Sequence, residues 1–227
     1  RYAESALAFE KAYNELRNEV LREQSLIKVA DAYFMNNQYK LAAAAYERVM
    51  IEYPESRTHY LTLYQAGESY ARSSDAANAV RILRGLAENE EAGDAMIRAG
   101  LFRLARFFEE QRAWAPAIES YDELIARFPV HEQTPDALLK RGLLRYRLGN
   151  YAGAREDFAR ILGDHPGSTV VEQAFFMQAR SLYQVGDATN ALASARQFIT
   201  TYTNSFWLPN VHFWLAEHAF NARAYDR

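Results

Sequence analysis

The chain has 227 residues, 49% hydrophobic and 24% charged, with 10 Gly, 6 Pro, no Cys and a formal charge of −3. That composition suits a soluble globular chain, excludes disulfides and thiolate metal sites, and lacks the basic excess of a dedicated nucleic-acid binder. No apolar run approaches the roughly 18 residues that span a bilayer, no signal peptide is evident, and a start at Arg1 rather than Met suggests a trimmed or processed chain.

Apolar residues recur at three- and four-residue steps throughout, so the chain is expected to be all-α. In order, Tyr2 to Arg17 reads as a second helix without its partner. Full pairs follow at Val20–Asn36 with Tyr39–Tyr53, Tyr60–Ser73 with Ala76–Asn89, and Asp94–Gln111 with Trp114–Phe128. Two more lie at Pro135–Leu148 with Tyr151–Gly163 and at Val170–Val185 with Ala188–Tyr202. A last helix, Leu208–Ala222, stands alone, and Tyr225 reaches the position that opens a second helix.

The pair at residues 134–166 sets the pattern. Thr134 offers an N-cap oxygen, Pro135 suits the first helical position and Asp136 the positive helix end. Leu138, Leu139, Gly142, Leu143 and Tyr146 share one face; Gly149 and Asn150 both tolerate the left-handed conformation that ends a helix. Tyr151, Ala154, Phe158, Ile161 and Leu162 form the second face, closed by Pro166 and Gly167. Gly142 and Ala154 lack bulk and are expected to mark the close crossing.

The early small residue of each second helix recurs at Ala42, Ala79, Ala117, Ala154 and Ala191, at separations of 37, 38, 37 and 37 residues. Twelve residues before each stands another small residue, Ala30, Gly67, Ala105, Gly142 or Ala179, and the series continues at Ala216. A fixed period with one helix pair per unit is the mark of an α-solenoid. We therefore expect a single right-handed solenoid of antiparallel helix pairs over 1–227. Its segments are 1–19 (second helix of a truncated repeat), repeats 20–56, 57–93, 94–131, 132–168 and 169–205, and 206–227 (first helix of a truncated repeat).

The small residue, aromatic, Gly-x-Tyr turn, Ala, aromatic and terminal Pro resemble the tetratricopeptide repeat over essentially the whole chain. Segments such as YPES (53–56) and HPGS (165–168), with a period near 37, are similar in style to bacterial envelope members of that family, of the Tol–Pal coordinator and outer-membrane assembly lipoprotein type. The chain departs from the pattern at Glu91 and Thr203, where prolines are missing, and at the acidic turn Glu88, Glu90, Glu91, Asp94. The resemblance implies a TPR-like superhelix whose first helices line the concave side. Its groove would be offered to a protein or peptide partner, in the bacterial periplasm or envelope, with a cytoplasmic location left open.

Two aromatic stripes on those first helices exceed what a pair buries. The candidate partner-binding residues are Tyr64, Phe102, Leu139, Phe176 and Phe213 in one stripe and Tyr146 and Tyr183 in another, with Arg72, Arg106, Arg147 and Arg180 between them. Aromatics would anchor an apolar or helical peptide, and arginines grip carboxylates bidentately. The burial of such stripes as core is the competing reading.

No catalytic set is visible. His59, His131, His165, His212 and His218 lack the spacing of a helical zinc site, and neither a phosphate loop nor a nucleophile elbow occurs. The expectation is a noncatalytic interaction scaffold without metal or cofactor; the alternative is the solenoid arm of a larger envelope enzyme or secretion machine. End-to-end self-association is a further expectation, and the net acidity weighs against nucleic acid.

Overall fold

In the computed structural model, which describes residues 1–225, the chain is an all-α array of helix pairs, with no strand among the described residues. It divides into two compact units, Arg1–Ser120 and Tyr121–Arg227. Unit 1 holds α1 (Tyr2–Glu15), α2 (Glu19–Met35), α3 (Tyr39–Glu52), α4 (His59–Arg72), α5 (Ala76–Glu88) and α6 (Gly93–Glu110). The unit boundary falls within α7 (Trp114–Arg127). Unit 2 continues with α8 (Thr134–Arg147), α9 (Tyr151–Asp164), α10 (Val171–Gln184), α11 (Ala188–Thr201) and α12 (Leu208–Tyr225). Because α12 runs through Tyr225, that residue's backbone continues the helix instead of opening another; the last two residues of the 206–227 segment lie outside the described residues.

Within each unit, sequential helices pack on one another, and alternate helices also touch, α4 with α6 and α8 with α10. The period of small residues explains why. Ala42, Ala79, Ala117, Ala154 and Ala191 are all fully buried, as are Ala30, Ala105 and Ala179 opposite them. Tyr46, Leu83, Tyr121 and Phe158, one turn further along the second helices, fill the adjoining space. Each such side chain contributes about 1.5–3 kcal/mol by leaving water. The series breaks at Ala216, which is exposed, since among the described residues no following helix covers that face of α12.

The turn inside each pair is built the same way. Asn37, Ser74, Arg112, Gly149 and Gly186 all have positive φ. The next residue's N–H then reaches back five positions: Gln38 to the Tyr33 carbonyl, Asp75 to Tyr70, Ala113 to Phe108, Asn150 to Arg145 and Asp187 to Leu182, all at 2.8–3.0 Å. This is the Schellman closure, which needs one left-handed residue. Asp75, Asn150 and Asp187 next cap the second helix, accepting from the N–H groups of Asn78, Gly153 and Asn190. Asn150 therefore serves as an N-cap with ordinary φ, and Gly149 alone carries the left-handed stop.

Thr134 likewise differs from its expected role. It is the first residue of α8 and fully buried, and its hydroxyl donates to the Phe128 carbonyl at 2.5 Å, so it ties the loop before the helix instead of capping it.

A non-glycine residue at a left-handed turn position costs roughly 1–2 kcal/mol. Ser74→Gly and Arg112→Gly are each expected to raise stability by up to that amount, and Gly149→Ala to lower it comparably. Chemical denaturation of the three variants measures this.

Candidate functional site

In unit 1 several polar side chains of the first helices are paired within the protein. Lys28 donates to Asp31 at 2.8 Å, and the buried Tyr46 hydroxyl donates to the same carboxylate at 2.7 Å. Arg72 donates from Nε to Glu68 Oε1 at 2.5 Å, and its guanidinium lies 5.1 Å from the Phe34 ring centroid and 5.6 Å from that of Tyr39. Glu68 also accepts from the buried Arg103, which in turn lies 3.6 Å from Glu110. The hydrogen bond to Glu68 raises the Arg72 pKa, and burial, with Glu68 adding, raises that of the half-buried Tyr64. Phe102 is half-buried and Arg106 exposed. Arg72 is thus held by Glu68 and two aromatic rings.

Unit 2 has one comparable knot, which the sequence reading missed. Asp157, 1% exposed, accepts from Arg141 Nε at 3.1 Å and Nη2 at 2.5 Å, and from Arg145 Nη1 at 3.1 Å. Asp122 accepts from both arginines, at 2.5 and 3.2 Å. Burial opposes the charge on Arg141, but Asp157 and Asp122 outweigh it and hold the guanidinium protonated. The only signal was an Asp between Ala154 and Phe158, on a face whose period marks it as core.

Of the candidates in unit 2, Leu139 and Phe176 are each only 5% exposed. Leu139 is a packing residue, because its position in α8 is covered by neighbouring helices. Phe176 is held among Ala195, Phe198 and Val211, and its ring also faces Trp207 and Trp214 at 6.2 and 6.4 Å. Tyr146 is half-buried, edge-on to Tyr151 at 5.0 Å, and Arg147 beside it is exposed. Tyr183 meets Trp214 at 5.7 Å and His218 at 5.2 Å, both edge-on. Phe213 is 71% exposed.

The structure brings Phe176, Arg180 and Phe213 together. They line an open slot of about 300 Å³ between α10 and α12, with Gln173, Met177, Trp207, Asn210, Trp214 and Glu217. α12 is seated by the buried Val211 and by Trp207, Leu208 and Leu215 against Phe198. Ser205 fixes its approach, donating to Glu172 of α10 at 2.5 Å while accepting from the Trp207 N–H. Arg180 lies 5.5 Å from the Tyr146 ring centroid and 5.8 Å from that of Phe176. Its Nε is buried without a hydrogen-bond partner, and the Glu217 carboxylate lining the same slot forms no ion pair with it. An aromatic wall beside an unneutralised guanidinium can seat an apolar side chain and accept a hydrogen-bond acceptor. Gln173, Met177, Asn210 and Trp214 were not singled out from the sequence. The repeat offset finds them, since Asn210, Phe213, Trp214 and Glu217 each stand 37 residues after Gln173, Phe176, Met177 and Arg180.

Among the described residues no group of His, Asp or Glu side chains is placed to hold a metal ion, and no helix is long and apolar enough to cross a membrane.

Two family models, both described as tetratricopeptide repeat, match residues 102–169 and residues 24–56 and 173–205, together more than half of the chain. The outer membrane protein assembly factor BamD of Xylella fastidiosa (strain 9a5c) is 32% identical over 65 residues, which is 29% of this chain and 22% of that protein. The C-terminal part of a TPR repeat-containing protein from Cytophaga hutchinsonii is similar in structure, with a TM-score of 0.69 at 16% identity, covering 89% of this chain and 74% of that one. A tetratricopeptide repeat protein from Parabacteroides merdae matches with a TM-score of 0.62 at 22% identity, over 90% of this chain and 76% of that one. At these identities the structural likeness shows the fold.

Removing one member of a buried ion cluster strands the others, at about 3–5 kcal/mol. Asp157→Ala is therefore expected to lower the denaturation midpoint of unit 2 strongly, whereas Asp164→Ala, in an exposed pair with Arg160, should cost less than about 1 kcal/mol.

Proposed function

Because the chain belongs to the tetratricopeptide repeat family, we propose that it is a noncatalytic scaffold that receives a polypeptide segment of a partner on the first-helix side of unit 2, at the slot between α10 and α12. The observation that carries this reading is the pairing of an open aromatic wall with a guanidinium whose buried Nε has no hydrogen-bond partner among the described residues. Hot spots of protein interfaces are rich in Trp, Tyr and Arg, and Trp207, Trp214, Tyr183 and Arg180 cluster here. Unit 1 supports the assignment by contrast, since Arg72 there is bound to Glu68.

The finer part of the proposal is the setting, a bacterial cell-envelope assembly. The similarity to BamD over 65 residues supports it. The matched stretch spans about a fifth of that relative, so its role as an outer membrane assembly factor is carried over only as a proposal. The repeats are proposed to run 20–56, 57–93, 94–131, 132–168 and 169–205.

The test is affinity capture from an extract of the source organism, with Phe213→Ala compared with Ile51→Ala. Both side chains are largely exposed, at 71% and 79%, so neither change empties the core. A partner retained by wild type and Ile51→Ala but lost with Phe213→Ala is the expected result; equal retention by all three would place binding elsewhere.

A further inference from the structure

The slot has a direction. Along α10 its lining runs Gln173, Phe176, Arg180, and along α12 it runs Asn210, Phe213, Glu217. α11 returns the chain between them, so the two helices run the same way and equivalent residues stand side by side. One end therefore carries two amides, the middle is aromatic, and the other end carries a guanidinium and a carboxylate. Each wall extends about 10 Å, from seven residues at 1.5 Å rise.

Arg180 is the group that asks for a ligand. The rings of Tyr146 and Phe176 hold the cation and strip part of its water, but neither accepts a hydrogen bond in the plane of the guanidinium. A buried donor left unpaired is costly, and an acceptor brought by a ligand recovers that cost. At the register position of Arg180, unit 1 has Asp31 and Glu68, which are paired within the protein, and Arg106, which is exposed.

Resting on the reading that unit 2 receives a partner polypeptide, we infer that the received segment carries an apolar side chain and, on the same face, a single acidic side chain, the first seated against Trp207 and Trp214 and the second on Arg180. The guanidinium fork matches a carboxylate in shape as well as charge. Arg180 lies 5.8 Å from the Phe176 centroid, so one short stretch of chain reaches both features. Polar groups at both ends suit a chain that crosses the slot and continues, with Gln173 and Asn210 bonding its backbone; a chain terminus would need only one such end. Glu217 beside Arg180 repels a second acid, which limits the segment to one.

Short Gly/Ser peptides, acetylated and amidated so that they carry no terminal charge, test this, with one Phe and one Glu adjacent or up to one helical turn apart. Trp207 and Trp214 report occupancy by fluorescence in a Trp114→Phe background, which removes the third tryptophan of the chain. The expected result is saturable titration by the Glu peptide of best spacing, and binding about tenfold or more weaker when Glu is replaced by Gln. Arg180→Gln should abolish that difference while Phe213→Ala weakens both peptides; Arg180→Lys keeps the charge and should restore part of the preference. Thermal transitions of the variants verify that they fold.

Equal binding of the Glu and Gln peptides, or no titration by any of them, overturns the inference. Binding of a Gln peptide with a free C-terminus as tightly as the amidated Glu peptide also overturns it, in favour of a chain terminus. Loss of the peptide preference with partner capture still dependent on Phe213 would remove the acidic requirement and leave the partner reading standing. Capture independent of Phe213 would remove the reading itself.

Discussion

The constraint on which the structure depends is the close crossing of two helices at small residues. A Cβ added at Gly142 would lie 2.7 Å from Phe158 Cε1 and 3.2 Å from Asp157 Cβ, and one added at Gly67 would lie 2.7 Å from Leu83 Cγ. These distances are below van der Waals contact, so at Gly67 and Gly142 the helices approach only because the side chain is missing, while the other pairs cross at the small Ala30, Ala105 and Ala179. With the crossing held at one point per pair, the bulky residue a turn later has a single place to go, which is why Tyr46, Leu83, Tyr121 and Phe158 are all fully buried. The same closeness brings Asp157 under Arg141 and Arg145, where only paired charges are tolerated.

The slot follows from that geometry. Once second helices fill the interior, first helices present their remaining residues on one side, and charge pairing decides which of those stay available. In unit 1, Asp31 and Glu68 each meet a cation of the protein. In unit 2 the neutralising carboxylates, Asp157 and Asp122, are taken by Arg141 and Arg145. Arg180 is left between two rings, next to a carboxylate that does not reach it. The aromatic wall is structural and exposed at once: Phe176 faces the core and the tryptophans, and Phe213 faces solvent.

The all-α repeat was legible because its information is local and periodic. Ala, Gly and aromatic residues recur at fixed offsets, and helix ends vary from expectation by only a few residues, with α1 closing at Glu15 before Arg17. The role of Thr134 was not legible, because a hydroxyl that caps a helix and one that bonds a preceding carbonyl look alike in sequence. Burial within the stripes was only half legible. Leu139, Phe176 and Phe213 occupy one register, yet the first two are covered and the third is open, since cover depends on the neighbouring helix rather than on the residue. The left-handed turn positions were visible where Gly stands and hidden where Ser74 and Arg112 stand.

The measurement that bears most directly on this account is the stability of Gly142→Ala beside Gly85→Ala. Both glycines lie inside helices, α8 and α5, and alanine favours a helix over glycine by about 1 kcal/mol. Around Gly85 there is nothing within 4 Å for a new methyl group to meet, so that variant should gain stability. At Gly142 the methyl group meets Phe158, and overpacking of about 1–3 kcal/mol should outweigh the helical gain. The account predicts opposite signs in chemical denaturation; a gain at both positions would contradict the claim that the small-residue crossing holds the array together.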